Sequence, residues 1–512
     1  MSAPTSPSGE RRALGRGIPG RLIGLTVVIL LVRIAAAMLI PLGPDEAYYR
    51  AWASAPALGY YDHPPMIAWW IWLGERIAGT GSLGVRLLPI LSAAASTFIV
   101  FDLARLAGLG ERIAERAAIW WNATLLIAFG GFLAVPDSAA SLFWALSLWS
   151  ALRALGALGA LGALGGPARA WWIAAGAAAG LATISKYSGL FLAPGVFLWL
   201  ACGPKGRRAL ASPWPWIAAA CALAIFALNI GWNAEHHWES FSRQFGRVAP
   251  HRFAPRFLPE FVFGQIGLLN PLIALFLGLS LASAKARSRL GAFLLSSAPF
   301  GAYLLFHSLH DRVEAHWPAP LYPALAIAAA AGAEEARGVW AKLRALAPIL
   351  GFSLAAIALL WTARPAGVIP SGHDPAKLLR GWSGFSAAVE AKRKAAGAAW
   401  VGTADYGLAA ELAASAKAPA PVVEMVDRAR WRGLKIGPPP DLSRPGLLVD
   451  LPRRLDALDL ASCFARVAPM GAIGRGADPG KDGTYQALEV FGAKRNLLER
   501  GCSRARKGEG RG

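Results

Sequence analysis

The sequence predicts a polytopic α-helical membrane protein that carries a small α/β domain outside the membrane. Three observations lead there. The 512 residues are 55% hydrophobic and only 16% charged, with a mean hydropathy of +0.41, whereas soluble domains lie nearer one quarter charged. Several apolar runs reach the ~20 residues needed to cross a bilayer. After about residue 364 these runs stop, and mixed, less hydrophobic sequence with alternating elements takes over.

Residues 1–21 read as a cytoplasmic tail bearing Arg11, Arg12, Arg16 and Arg21. The apolar run from Leu22 to Ile40 has the flanks of a signal peptide. Arg33 interrupts it and further spans follow, so it is expected to stay as the first transmembrane helix. Apolar runs and the polar breaks between them place about eleven spans within 22–363. They fall near 22–42, 86–107, 115–134, 138–155, 170–185, 188–202, 214–233, 260–282, 290–308, 320–334 and 345–363.

The connectors set the orientation. The N-terminus, Glu111 to Arg116, Lys205 to Arg208, Lys285 to Arg289 and Arg337 to Arg344 fall on one side and hold most of the loop lysine and arginine. That side is expected to be the cytoplasm. The other face then receives loop 43–85, Pro136-Asp137, Ser185-Lys186-Tyr187, loop 234–259, His310 to Pro320 and residues 364–512. The net charge of +21 therefore reads as positive-inside bias and contact with anionic lipid, with no nucleic acid partner. Many of the 21 tryptophans lie near the ends of apolar runs, as in interfacial belts.

Within the first long loop, 45–55 and 65–78 carry apolar and aromatic residues at helical spacing and are too short to span. They suit short helices lying in the interface, punctuated by Pro56, Gly59, Pro64 and Pro65. The Ala-Leu-Gly repeat from Leu155 to Gly166 reads as low-complexity linker. In the last segment, strands are expected at Ala398–Thr403, Pro445–Val449 and Thr484–Phe491, with a helix over Tyr406–Ala416. No nucleotide-binding glycine fingerprint occurs there. Cys202 and Cys221 read as small hydrophobes, while Cys463 and Cys502 share the tail and could pair if it is exported.

Chemistry is expected on the face that receives loop 43–85. Acidic residues at a membrane surface are costly to hold and repel anionic headgroups. Yet Asp45, Glu46, Asp62 with His63, and Asp137 all fall there. Asp45 or Asp137 could each be merely a helix cap, and it is their gathering on one face that points to a site. Lys186 could snorkel to headgroups or bind a phosphate. Loop 234–259 holds Arg243, Arg247 and Arg252 among phenylalanines against the positive-inside trend, and forked arginine donors suit phosphate oxygens. The His236-His237 pair is a weak metal signal. The run from His310 to Pro318, with His316, could be a charged turn or part of the site.

Pro44-Asp45-Glu46-Ala47-Tyr48-Tyr49, Tyr60-Tyr61-Asp62-His63-Pro64-Pro65, Arg86-Leu87-Leu88-Pro89, Pro136-Asp137, Ser185-Lys186-Tyr187 and His316-Trp317-Pro318 occur in this order. With them, residues 20–330 resemble bacterial glycosyltransferase family 39, the group related to protein O-mannosyltransferases and to the aminoarabinose transferase acting on lipid A. The resemblance implies a GT-C fold and transfer of a sugar from a polyprenyl-phosphate carrier on the non-cytoplasmic face of the bacterial inner membrane. It implies Asp45, or its neighbour Glu46, as base, Asp137 as a second acidic position and Lys186 near the donor phosphate.

The substrate-binding set expected is Tyr48, Tyr49, Tyr61, Asp62, His63, Lys186, Tyr187, Arg243, Arg247, Arg252 and His316. No metal is expected to be obligatory, although these carboxylates could hold Mg²⁺ or Mn²⁺. Expected partners are the lipid-linked sugar and a lipid A, glycolipid, polysaccharide or protein acceptor. The alternative class is a transporter or flippase for a lipid-linked sugar. Against it, no repeated half is visible, and the distinctive charges other than Arg33 lie at helix ends.

Overall fold

A computed structural model of the chain describes residues 17–161, 166–246, 253–363, 374, 376–415, 420–434, 438–476, 483–494 and 497–503. Residues 20–363 form a helical bundle. Helix α1 spans Gly20–Leu39, α2 Pro44–Ala53, α3 Met66–Ala78, α4 Ser82–Leu106, α5 Glu111–Ala123, α6 Leu125–Gly130, α7 Pro136–Leu161 and α8 Gly166–Thr183. Then come α9 Leu192–Cys202, α10 Pro204–Leu210, α11 Trp214–Glu235, α12 Glu239–Phe245, α13 Phe257–Leu269 and α14 Pro271–Ala282. Helices α15 Ala284–Arg289, α16 Gly291–His307, α17 Tyr322–Gly332 and α18 Val339–Ala363 complete it.

Among the described residues, five helices are long and apolar enough to cross a membrane, and seven if each of two bent pairs is one span. The shorter apolar segments Gly291–His307 and Ala319–Gly332 add to these. The apolar runs do not each become one straight helix. The run at 115–134 breaks at Thr124, which is extended between α5 and α6. The run at 260–282 bends by 109° at Asn270-Pro271. Proline cannot donate the next helical hydrogen bond and disfavours helical backbone before it. Asn270 takes φ +78°, a sign of φ that asparagine tolerates better than most residues, and its side chain, fully buried, accepts from the Leu272 amide and donates to the Ala347 carbonyl.

Two expectations on short segments meet different outcomes. The loop helices appear as α2 and α3. The Ala-Leu-Gly repeat is no linker at its start, because α7 continues through it to Leu161. Alanine and leucine are strong enough helix formers to carry the intervening glycines. Residues 162–165 lie outside the described residues.

The last segment forms a five-stranded sheet of order β2-β1-β3-β5-β4. Its strands are β1 Trp400–Thr403, β2 Val422–Glu424, β3 Gly446–Asp450, β4 Arg466–Gly474 and β5 Thr484–Phe491. β1 pairs in parallel with β2 and β3, while β5 runs antiparallel to β3 and β4. Alternation sends Val401, Leu447, Val449 and Tyr485 to one face, against Trp382 and Phe385 of α19 (Trp382–Ala395) and Leu408 and Leu412 of α20 (Tyr406–Ser415). Trp400, Leu448, Leu488 and Val490 pack on the other face with Phe464. β2 and β4 were not anticipated. β2 is three residues long, and β4 is largely exposed with a bulge between Pro469 and Ala472, so neither offers a clean apolar alternation.

Cys463 and Cys502, 39 residues apart, are disulfide-bonded under the second face. A loop of that size constrains the unfolded chain by about 2–4 kcal/mol. Replacing both cysteines with serine is therefore expected to lower the unfolding temperature of this domain, read by thermal melting with and without reductant. An unchanged melt would contradict it.

Candidate active site

Helix α2 starts at Pro44, whose fixed φ and missing N–H suit the first helical position. Asp45 and Glu46 thus occupy the first turn, where exposed backbone amides favour carboxylates. Gly43, not Asp45, is the N-cap. Successive helical residues diverge by about 100°, and the two carboxylates part company.

Glu46 turns into the bundle, 3% exposed, and meets the fully buried Arg86 of α4. Arg86 Nε and Nη2 donate to its two oxygens at 2.8 and 2.6 Å. The Gly43 and Ala134 amides donate at 3.0 and 2.9 Å. The other Arg86 donors reach the carbonyls of Ala37, Ile40 and Pro41. This corrects the expectation of Glu46 as an alternative base. Its oxygens are already taken, and it does not line the cavity that Asp45 faces.

That cavity, about 520 Å³, opens where α2, the 59–65 turn, α7, the 310–318 segment and the C-terminal domain meet. Asp45, Tyr48, Tyr49, Asp62, His63, Asp137, Lys186 and His316 line its polar part. Pro89, Ser92, Ala93 and Ser96 form one face of α4 along its depth. The spacing of 89, 92, 93 and 96 gives a smooth wall of small side chains.

Asp137, in the first turn of α7, is 3% exposed, and Lys186 Nζ donates to it at 2.6 Å. Lys186 has extended backbone before a short 3₁₀ turn, Tyr187–Phe191, which carries its side chain back to α7. His316 Nε2 lies 3.6 Å from the other Asp137 oxygen. Desolvation in the cavity holds the imidazole below its ordinary value, against the pull of Asp137.

Asp62 is a hub. Tyr48 donates its hydroxyl to it at 3.1 Å, Arg430 Nη1 donates at 2.6 Å, and Arg243 Nε stands 3.5 Å away. Arg243, Arg430 and Asp62 enclose Tyr61, whose ring lies under both guanidinium groups at 5.9 and 5.6 Å. Tyr49 is buried with its ring against His63. The Tyr187 hydroxyl is shared with Asn229 and Ser240. Tyr187 therefore lines a second cavity of about 190 Å³ and not the first. That second cavity carries Phe191, Phe245, Phe300 and Tyr303, and touches the first through His63, Lys186, Gln244 and Trp317.

Arg247 and Arg252 lie outside the described residues. Among the described residues, no group of three or more His, Cys, Asp or Glu side chains is placed to hold a metal ion. His236 stacks on Trp232 with ring centroids 4.0 Å apart.

The residues that sequence reasoning missed come from the C-terminal domain. The Tyr406 hydroxyl donates to Asp45 Oδ1 at 2.8 Å. Arg430 binds Asp62 and lies over the Tyr406 ring at 4.2 Å. Burial and the neighbouring Asp45 push the Tyr406 hydroxyl up, so it stays a donor. A faint signal existed in Arg428-Ala-Arg430-Trp431-Arg432, a basic and aromatic run in the soluble segment.

Comparison with known proteins agrees with the motifs. Residues 62–232 match the family described as dolichyl-phosphate-mannose-protein mannosyltransferase. The lipid A galacturonosyltransferase RgtD of Rhizobium johnstonii is 28% identical over 236 residues, covering 40% of this chain. The matched region spans 46% of that relative's length. Two crystal structures of ArnT from Cupriavidus metallidurans superpose over nearly the whole chain at 18% identity. The apo form has a TM-score of 0.60 and covers 91% of this chain and 97% of its own. The form bound to undecaprenyl phosphate has a TM-score of 0.61 and covers 92% and 98%. The resemblance to glycosyltransferase family 39 is thus borne out, and the chain has the GT-C fold.

Proposed function

We propose that the protein is a membrane glycosyltransferase that moves a sugar from a polyprenyl-phosphate donor to an envelope acceptor, with Asp45 as general base. Lipid A or another glycolipid, a polysaccharide or a protein would serve as acceptor. The observation that carries this reading is that Asp45 and the Asp137–Lys186 pair line one cavity, continuous with an aromatic groove. A carboxylate faces one side of the space, and a cation sits where an apolar chain would enter. The comparisons support a transferase over a transporter, because the proteins it resembles are glycosyltransferases.

In the reaction, the acceptor hydroxyl oxygen bonds to the anomeric carbon as its proton passes to Asp45, a general-base role. The bond from that carbon to the phosphate oxygen breaks, and polyprenyl phosphate leaves. Lys186, turned from Asp137 to the phosphate, stabilises the departing charge, with Arg243 as a second cation. Asp137 holds Lys186 in place before the donor arrives. Asp62 and His63 orient hydroxyls. With one displacement and no protein nucleophile, the anomeric configuration inverts. Loop 43–85 and the C-terminal domain would face the periplasm from the inner membrane, a placement that the basic connectors on the opposite side support.

The test is transfer by purified protein in nanodiscs, offered undecaprenyl phosphate carrying galacturonate, mannose, glucose or aminoarabinose, with lipid A as acceptor and products read by mass spectrometry. Lys186→Met is expected to weaken undecaprenyl phosphate binding by roughly 10- to 100-fold, the worth of a charge-assisted hydrogen bond. Binding and translocation without transfer by wild type would favour a transporter.

A further inference from the structure

The C-terminal domain does more than sit beside the bundle. Helix α20 docks on α2 so closely that a Cβ on Gly407 would stand 2.9 Å from the Pro44 side chain. Ala409, Ala410 and Trp431 pack there with Tyr48 and Trp52. Apolar packing alone would hold the two together. What packing does not require is that the polar ends of this surface land on two acidic residues of loop 43–85, Asp45 and Asp62. The Tyr406 hydroxyl meets Asp45 Oδ1, and Arg430 meets Asp62.

These contacts are linked. Arg430 is held from behind by Asp427 at 2.7 Å and stacks on Tyr406. Its backbone carbonyl stands 3.4 Å from the Tyr48 hydroxyl, which donates to Asp62 at 3.1 Å. Asp45, Tyr406, Arg430 and Asp62 therefore form one chain across the domain boundary, and each is a wall of the cavity.

We propose that the C-terminal domain completes the catalytic cavity, with Tyr406 as a positioning residue that fixes the Asp45 carboxylate and Arg430 as its counterpart on Asp62. The inference rests on the reading of Asp45 as base. Asp45 is at an exposed position, and an aspartate in that setting samples several rotamers. The Tyr406 hydroxyl holds Oδ1, which leaves Oδ2 as the oxygen offered to the acceptor proton. A base so fixed keeps the reacting atoms near attack geometry, and a displacement of about 1 Å costs on the order of 100-fold in rate.

The test is Tyr406→Phe in the full-length protein. This substitution keeps the ring packing and removes only the hydroxyl. With whichever sugar donor of the panel wild type turns over, kcat is expected to fall about 10- to 100-fold, with KM for donor and acceptor unchanged. The melting temperature should also stay the same. A merely structural tyrosine would leave kcat alone or lower the melt, and either result overturns the proposal.

A second readout needs no turnover. Coupling of an amine to Asp45 by a water-soluble carbodiimide, followed by peptide mass spectrometry, is expected to rise several-fold in Tyr406→Phe. Equal labelling would overturn the proposal. The two failures are distinct: wild type inactive on every donor sinks the transferase reading, whereas active wild type with equally active Tyr406→Phe sinks only the positioning role.

Discussion

Asp45→Asn is expected to lower kcat by about 10²- to 10⁴-fold, the range that a positioned general base contributes. Asparagine has nearly the shape of aspartate and keeps an oxygen that can accept from the Tyr406 hydroxyl. The contact at 2.8 Å therefore survives, and so does the docking of α20. What is lost is the lone pair that takes the acceptor proton. Asp45 is exposed and makes no buried ion pair among the described residues, so the fold is expected to hold. Initial rates in nanodiscs set beside a thermal melt and undecaprenyl phosphate binding separate these effects. Wild-type turnover in the variant would remove Asp45 as base.

Glu46→Ala, one residue away, is expected to act in the opposite sense. Arg86 is fully buried, and Glu46 supplies its carboxylate through two parallel hydrogen bonds. Removing one partner of such a pair leaves an uncompensated buried charge and costs about 3–5 kcal/mol. That is a large share of the roughly 5–15 kcal/mol by which folded proteins are stable. The amides of Gly43 and Ala134 lose their acceptor as well, which adds unpaired buried donors.

The expected result is little monodisperse protein on size exclusion and a lowered melt in what remains, with Glu46→Gln intermediate because it keeps an acceptor. An unchanged melt with abolished transfer would return Glu46 to the catalytic set. Together the two variants distinguish adjacent carboxylates by kind of defect, one in rate and one in folding.

The motif that carries both acids was legible from the sequence, but the division between them was not. Both sit in one helical turn, and one-dimensional spacing says only that they point in different directions. Which direction holds Arg86 depends on how α4 packs against α1 and α2. The sequence leaves Asp137 open between a helix cap and a chemical role, and Lys186 open between snorkelling to headgroups and binding a phosphate. The structure joins them at 2.6 Å, which sequence spacing could not reveal. Tyr187 was placed with the substrate-binding residues because of its motif, yet its hydroxyl is occupied by Asn229 and Ser240.

Local pattern was enough to foresee the apolar runs, the two short helices of loop 43–85, three of the five strands and the helix between them. Each of these is written in periodicity and turn residues over a few neighbours, because burial of one face repeats with the element's own pitch. The bend at Asn270-Pro271 also had its cause in the sequence, although not its angle.

Only the tertiary structure decided which charges meet and what closes the cavity. Tyr406 and Asp45 are 361 residues apart, and Arg430 and Asp62 are 368 apart. A hydrogen bond is set by ångström-scale approach between distant segments, and that approach follows from the packing of α20 on α2, which no local pattern encodes.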